Sequence, residues 1–175
     1  MRGSGHKDPA RKVATRQDAL SSVSAEPRDV MRIDRAATIL LLALGLLTFG
    51  TGMHFLFLRP AMLPEDLRFT GMEPRLLRPE MVEWLQIVFR TWGGFMAGFG
   101  LLMSSVAGYL LTSRIPLLKL GTSLALLVAL GRFLASNVLI HSDYLWFVAA
   151  LFAVAVLVSL LFLLSLLRPS GPRSS

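Results

Sequence analysis

Four long apolar runs dominate the chain, and the polar residues gather mostly between and outside them. A helix needs ~20 apolar residues to cross a hydrocarbon core. The runs at about residues 36–58, 80–112, 117–140 and 144–167 each meet that length. Half-buried strands and amphipathic surface helices would instead interleave polar positions at periods of about 2 or 3.6 residues. The predicted fold class is all-α: an integral-membrane antiparallel four-helix bundle, up-down-up-down, occupying residues 31–168 with one long and two short connections.

The segments between the runs set the boundaries. Residues 1–30 are polar and charged with no sustained helical stripe, which predicts a disordered tail; residues 169–175 form a second, short polar tail. The first run is read as a retained helix. The charged stretch before it and the run itself are both too long for a cleaved leader, and no A-x-A site follows. The connection over 59–80 contains Pro60, Pro64, Pro74 and Pro79, with Arg59, Arg68, Arg75 and Arg78 balanced by Glu65, Asp66, Glu73 and Glu80. A short surface helix is expected at about 65–69. Pro79 suits a first helical position, and Glu80 and Glu83 then fall in a first turn, where the helix dipole favours acids. The turn from Ser113 to Pro116 is so short that the second and third helices should form a packed hairpin. His141, Ser142 and Asp143 make the last tight turn.

Charge adds orientation. The net charge is +7. Arg28, Arg32, Arg35, Arg114, Lys119, Arg168 and Arg173 all fall on the side of the two termini, which places both termini in the cytoplasm and the chain in the cell membrane. Trp84, Trp92, Tyr144 and Trp146 gather toward the opposite interface as an aromatic belt would. The basic residues flank apolar runs instead of forming a face with interleaved aromatics, so nucleic acid is not an expected partner. The absence of cysteine excludes disulfides, thiolate catalysis and cysteine-bound metal.

The few polar residues inside the runs are the candidate chemistry. On a helical wheel the second helix groups Gly93, Ala97 and Gly100 on one narrow face, with Gln86 and Arg90 on it and Glu83 near its edge. The third groups Arg132 with Ala125, Ala129 and Ser136. Small residues permit close helix approach, so the predicted packing sets Gly93, Ala97 and Gly100 against Ala125 and Ala129. His54 shares a face with Leu47 and Gly50. By depth, Glu83, Arg90, Arg132, His54 and Asn137 all lie toward the end bearing the long loop, which predicts one polar pocket there, with Glu83, Arg90 and Arg132 clustered. Each has a plainer reading beside this one: Glu83 as a helix-start acid, the arginines as snorkelling or structural pairs, His54 as a packing residue. No ligand-pair spacing supports a metal, and no cofactor is expected. No phosphate loop, H-E-x-x-H or G-x-S-x-G occurs, so no catalytic residue is assigned.

The stretches Phe89-Arg90-Thr91-Trp92-Gly93-Gly94-Phe95, Gly98-Phe99-Gly100-Leu101 and Ala129-Leu130-Gly131-Arg132-Phe133 resemble the small four-helix bacterial inner-membrane protein family of unknown function, in which an arginine precedes a Gly-Gly pair in helix two and a Gly-Arg pair marks helix three. The resemblance covers about residues 36–167 and implies a four-helix fold and a bacterial inner membrane, but no activity. The expected function is non-catalytic: binding of a partner protein or an amphiphile, an anionic lipid among them, through the polar pocket. The competing expectation is a membrane-embedded enzyme or carrier for a lipid-like or anionic substrate, using Arg90, Arg132, Glu83 and His54. The bilayer itself, and a homo-oligomer or membrane partner, complete the expected contacts.

Overall fold

The computed structural model describes the backbone of residues 9–72 and 74–167, with side chains described from residue 31 to 72 and from 75 to 167. The described residues form five α-helices and no strand: α1 (Pro9–Phe57), α2 (Pro64–Thr70), α3 (Pro79–Leu110), α4 (Pro116–Leu139) and α5 (Leu145–Leu167), with one 3-10 turn at Pro74–Leu76. Four segments are long and apolar enough to cross a membrane: Met31–Phe57, Pro79–Leu110, Pro116–Leu139 and Leu145–Leu167. The chain is a multi-pass, all-α membrane protein.

Local chemistry fixes the helix ends. α2, α3 and α4 each begin with proline in the first turn, where the missing N–H has no intrahelical role. Gly71 closes α2 in the left-handed region (φ 66°). α1 begins within the segment expected to be a disordered tail. From Pro9 onward the charged segment is already helix and runs unbroken into the first span. A helix nucleated by a membrane span extends at one hydrogen bond per residue fixed, and Ala, Arg, Gln and Glu in this segment favour that extension. Residues 1–8 and the C-terminal tail at 169–175 lie outside the described residues.

The spans pack in the order α3, α1, α5, α4. α3 and α4, although consecutive, share no extended contact, which corrects the predicted hairpin. The five residues between their ends (Leu111 to Ile115) reach at most ~18 Å. The turn holds the adjoining ends of α3 and α4 within that distance, but the two helices do not pack along their length. The main core runs from the middle of the bundle toward the termini, built from Leu41 and Leu44, Met103 and Ala107, Leu126 and Leu130, and Leu151, Ala155, Val158 and Phe162.

The tightest contact is between α1 and α3. Gly93 and Gly100 are buried, as is Ala97 between them, but the opposing surface is α1 and not α4. A Cβ added at Gly93 would stand 2.7 Å from the Leu56 amide nitrogen, and one at Gly45 would stand 3.0 Å from the Gly100 carbonyl oxygen. Gly45 and Gly52 on α1 thus interlock with Gly93 and Gly100 on α3; the backbones are in direct contact at Gly52, Gly93 and Gly100, and Ser104 Oγ is the nearest atom at Gly45. Ala125 and Ala129, the expected partners, are exposed on α4. The wheel identified the buried stripe of α3 but carried no information about which helix it meets.

At the termini end one ionic cluster ties three helices together. Lys119 Nζ of α4 lies 2.6 Å from Asp34 Oδ1 of α1 and donates to Ser165 Oγ of α5 at 3.1 Å. The Lys119 side chain is only 7% exposed and Asp34 14%. Arg114, more than half exposed, approaches Asp34 at 3.9 Å.

Candidate functional site

At the opposite end lies a cavity of about 700 Å³. Its walls come from all four spans: Leu47, Gly50 and His54 of α1, Val88, Phe89 and Trp92 of α3, Phe133 and Asn137 of α4, and Phe147 and Val148 of α5. These are mostly apolar and aromatic. Polar groups concentrate at the loop end, where Arg59, Glu65, Asp66, Ser142 and Tyr144 line the cavity.

The connection between α1 and α3 builds this polar end. Asp66 occupies the third position of α2, and its Oδ2 accepts the Leu63 amide at 2.8 Å, satisfying an N–H that the helix start leaves free. The same oxygen accepts Arg59 Nη2 at 2.7 Å. Arg59 Nη1 donates to the Pro60 carbonyl at 3.1 Å, and its guanidinium lies over Phe89 at 3.4 Å from the ring centroid. Its side chain is 4% exposed. Burial pulls the Arg59 guanidinium below the usual arginine range, while attraction to Asp66 and Glu65 works in the other direction. Arg59 Nε is buried without a hydrogen-bond partner. The Phe89 face offsets part of that desolvation. Asp66, the Pro60 carbonyl and the Phe89 ring hold this guanidinium between the loop and α3, leaving Nε as its unpaired donor.

Glu65 is arranged differently. It is 2% exposed, and its Oε1 accepts one long hydrogen bond, 3.3 Å from Ser142 Oγ. Among the described residues no cation lies within ion-pairing distance of it, and Oε2 has no hydrogen-bond partner. Glu65 is among the residues that line the cavity. The α4–α5 turn aims the serine. His141 adopts φ 52°, unusual for a residue with a side chain, and its amide reaches the Val138 carbonyl at 3.2 Å while Ser142 N reaches Asn137 O at 3.0 Å. This pair of bonds ends α4 with a Schellman motif and brings the Ser142 hydroxyl beneath α2. Arg68 and Asp143 pair at 2.6 Å on the exposed side of the same junction. α2 therefore roofs the cavity.

Of the residues expected in a polar pocket, His54 and Asn137 line the cavity. Asn137 is buried and donates from Nδ2 to the Phe133 carbonyl at 2.9 Å. Glu83, Arg90 and Arg132 are exposed, line no part of the cavity and form no ion pair with one another. The expected cluster of these three is not formed. Arg90 sits at the edge of the buried stripe of α3, and Arg132 shares its exposed face with Ala125 and Ala129. A small-residue stripe marks a face that can pack closely; in α4 that face points away from the bundle. Arg59, Glu65 and Asp66 were not anticipated as a site, because balanced charges in a loop usually mean solvation. A readable signal was present: an arginine ending a span, followed within one turn-length by Pro64-Glu65-Asp66, a helix start able to hold it.

No group of His, Cys, Asp and Glu among the described residues could hold a metal ion. The chain matches no family model, no curated protein and no solved structure. Function is therefore read from the cavity.

Proposed function

We propose that this protein binds an amphiphile, lodging its apolar chain between the loop-side halves of α3 and α4 and its polar head beneath α2. The observation that carries this reading is the cavity itself: apolar along the spans, ionic at one end, and bordered by α3 and α4, which share no extended contact. Its volume of about 700 Å³ lies within the ~300–1,000 Å³ typical of small-molecule sites. A water-filled funnel for a polar solute would need polar walls, and a protein-docking surface would not need an enclosed one. The competing enzyme or carrier reading invoked Arg90, Arg132, Glu83 and His54, and only His54 lines the cavity.

Gly50 offers a clean test. It lines the cavity, and a Cβ added there would meet nothing within 4 Å. Gly50→Phe should fill the space from α1 without disturbing helix packing. Amphiphile retained by the wild-type protein through purification should be lost from this variant at unchanged melting temperature, read by mass spectrometry of the extracted protein. Equal retention by both proteins would sink the reading.

The distribution of Lys and Arg puts both termini in the cytoplasm and hence the cavity in the non-cytoplasmic half of the membrane. A reporter active only outside the cytoplasm, fused after Ser175, should give no signal; strong activity would invert the topology.

A further inference from the structure

The head group can be specified further. Two carboxylates and one guanidinium line the polar end of the cavity, a formal excess of one negative charge with His54 neutral. Asp66 and Arg59 satisfy each other at 2.7 Å, so the excess resides on Glu65. A carboxylate 2% exposed, holding one 3.3 Å hydrogen bond and no ion pair among the described residues, is costly to bury. Glu65 lines the cavity with one carboxylate oxygen unpaired among the described residues, and the surrounding wall includes Trp92, Tyr144 and Phe147, aromatic residues of the kind that attract cations. An anionic head would meet the opposite: a net negative site whose only arginine is already held by a carboxylate, a phenylalanine ring and a backbone carbonyl.

We infer that the amphiphile carries a protonated amine, and that an N–H of this ammonium donates to Glu65 Oε2 while the positive charge lies among the aromatic rings. The inference rests on the amphiphile reading above. It replaces the anionic lipid expected from the sequence with a ligand whose head bears at least one N–H. A quaternary ammonium would satisfy the rings but leave the Glu65 acceptor unpaired. The roof helix gives Glu65 its position: as the second residue of α2, it is held over the cavity by the Arg59–Asp66 pair before it and the Arg68–Asp143 pair after it.

The test is native mass spectrometry of the full chain in detergent, offered an equimolar mixture of three lipids with identical acyl chains and phosphoethanolamine, phosphocholine or phosphoglycerol heads. The wild-type protein should retain the phosphoethanolamine lipid about tenfold over the other two, the discrimination expected of one charged hydrogen bond. Glu65→Gln should lose that preference and keep non-selective retention, because the apolar walls are intact. Preference for phosphoglycerol, preference for phosphocholine over phosphoethanolamine, or unchanged selectivity in Glu65→Gln would each overturn the assignment. Should Glu65→Gln fail to fold, the wild-type selectivity alone decides. Retention of all three heads alike, abolished by Gly50→Phe, would end the amine inference and leave the amphiphile reading standing. Absence of any retention sensitive to Gly50→Phe would end both.

Discussion

Lys119→Met should unfold at markedly lower temperature or denaturant than the wild-type protein in detergent, with a loss of about 3–5 kcal/mol, the usual result of stranding one member of a buried ion pair. Asp34 would keep its charge in a setting where Lys119 Nζ, at 2.6 Å, is its nearest partner. Arg114, 3.9 Å away and largely exposed, can move in and recover part of the loss, which favours the lower end of that range. The double variant Lys119→Met with Asp34→Leu should regain most of the stability. It leaves no orphan charge, and the new apolar groups suit a site flanked by Phe162. The measurement is a double-mutant cycle on reversible unfolding. If the double variant were as unstable as the sum of the two singles, the pair would not be the unit that ties α1, α4 and α5 together.

The second large effect belongs to the glycine contact. Gly100→Leu should destabilise the bundle by at least the ~1–3 kcal/mol typical of overpacking. The obstacle is the backbone of α1, with the Gly45 carbonyl oxygen 2.6 Å from an added Cβ, and backbone cannot rotate aside as a side chain can. Gly98→Leu, two residues away on the same helix, supplies the contrast. A Cβ there meets nothing within 4 Å, so its melting temperature should stay near the wild-type value. Similar melting temperatures for the two variants would contradict the direct α1–α3 contact.

The sequence made some levels of this structure plain and hid others for identifiable reasons. Spans follow from apolar length alone, and the start of α3 at Pro79 follows from proline chemistry, so both were legible. The buried face of α3 was legible too, because Gly93, Ala97 and Gly100 recur at helical period. Its partner was not, since a wheel describes one helix at a time and the short turn to α4 suggested the wrong neighbour. The matching seven-residue spacing of Gly45 and Gly52 in α1 was the clue that pairs it with Gly93 and Gly100. Depth reasoning points to the loop end, where His54 and Asn137 line the cavity. It overvalued Arg90 and Arg132, which are long enough to reach an interface from an exposed face. It undervalued Arg59, Glu65 and Asp66, whose burial depends on a loop folding back over the spans, a tertiary event with no periodic signature. Lys119 was read as a topology marker, and its pairing with Asp34 across 85 positions of sequence left no local trace.

The lack of extended contact between α3 and α4 changes how occupancy of the cavity would be reckoned if the proposed amphiphile enters between them. An amphiphile entering sideways never leaves the membrane, so the quantity that governs filling is its mole fraction in the surrounding leaflet, and its concentration in water is irrelevant. Exchange then becomes a two-dimensional encounter at the speed of lateral diffusion, renewed constantly because neighbouring lipids always collide with the α3–α4 side. Under such conditions affinity need not be high for the cavity to be full. On the proposed reading, selectivity among abundant neighbours, set at the polar end by Glu65, would decide which molecule is found inside.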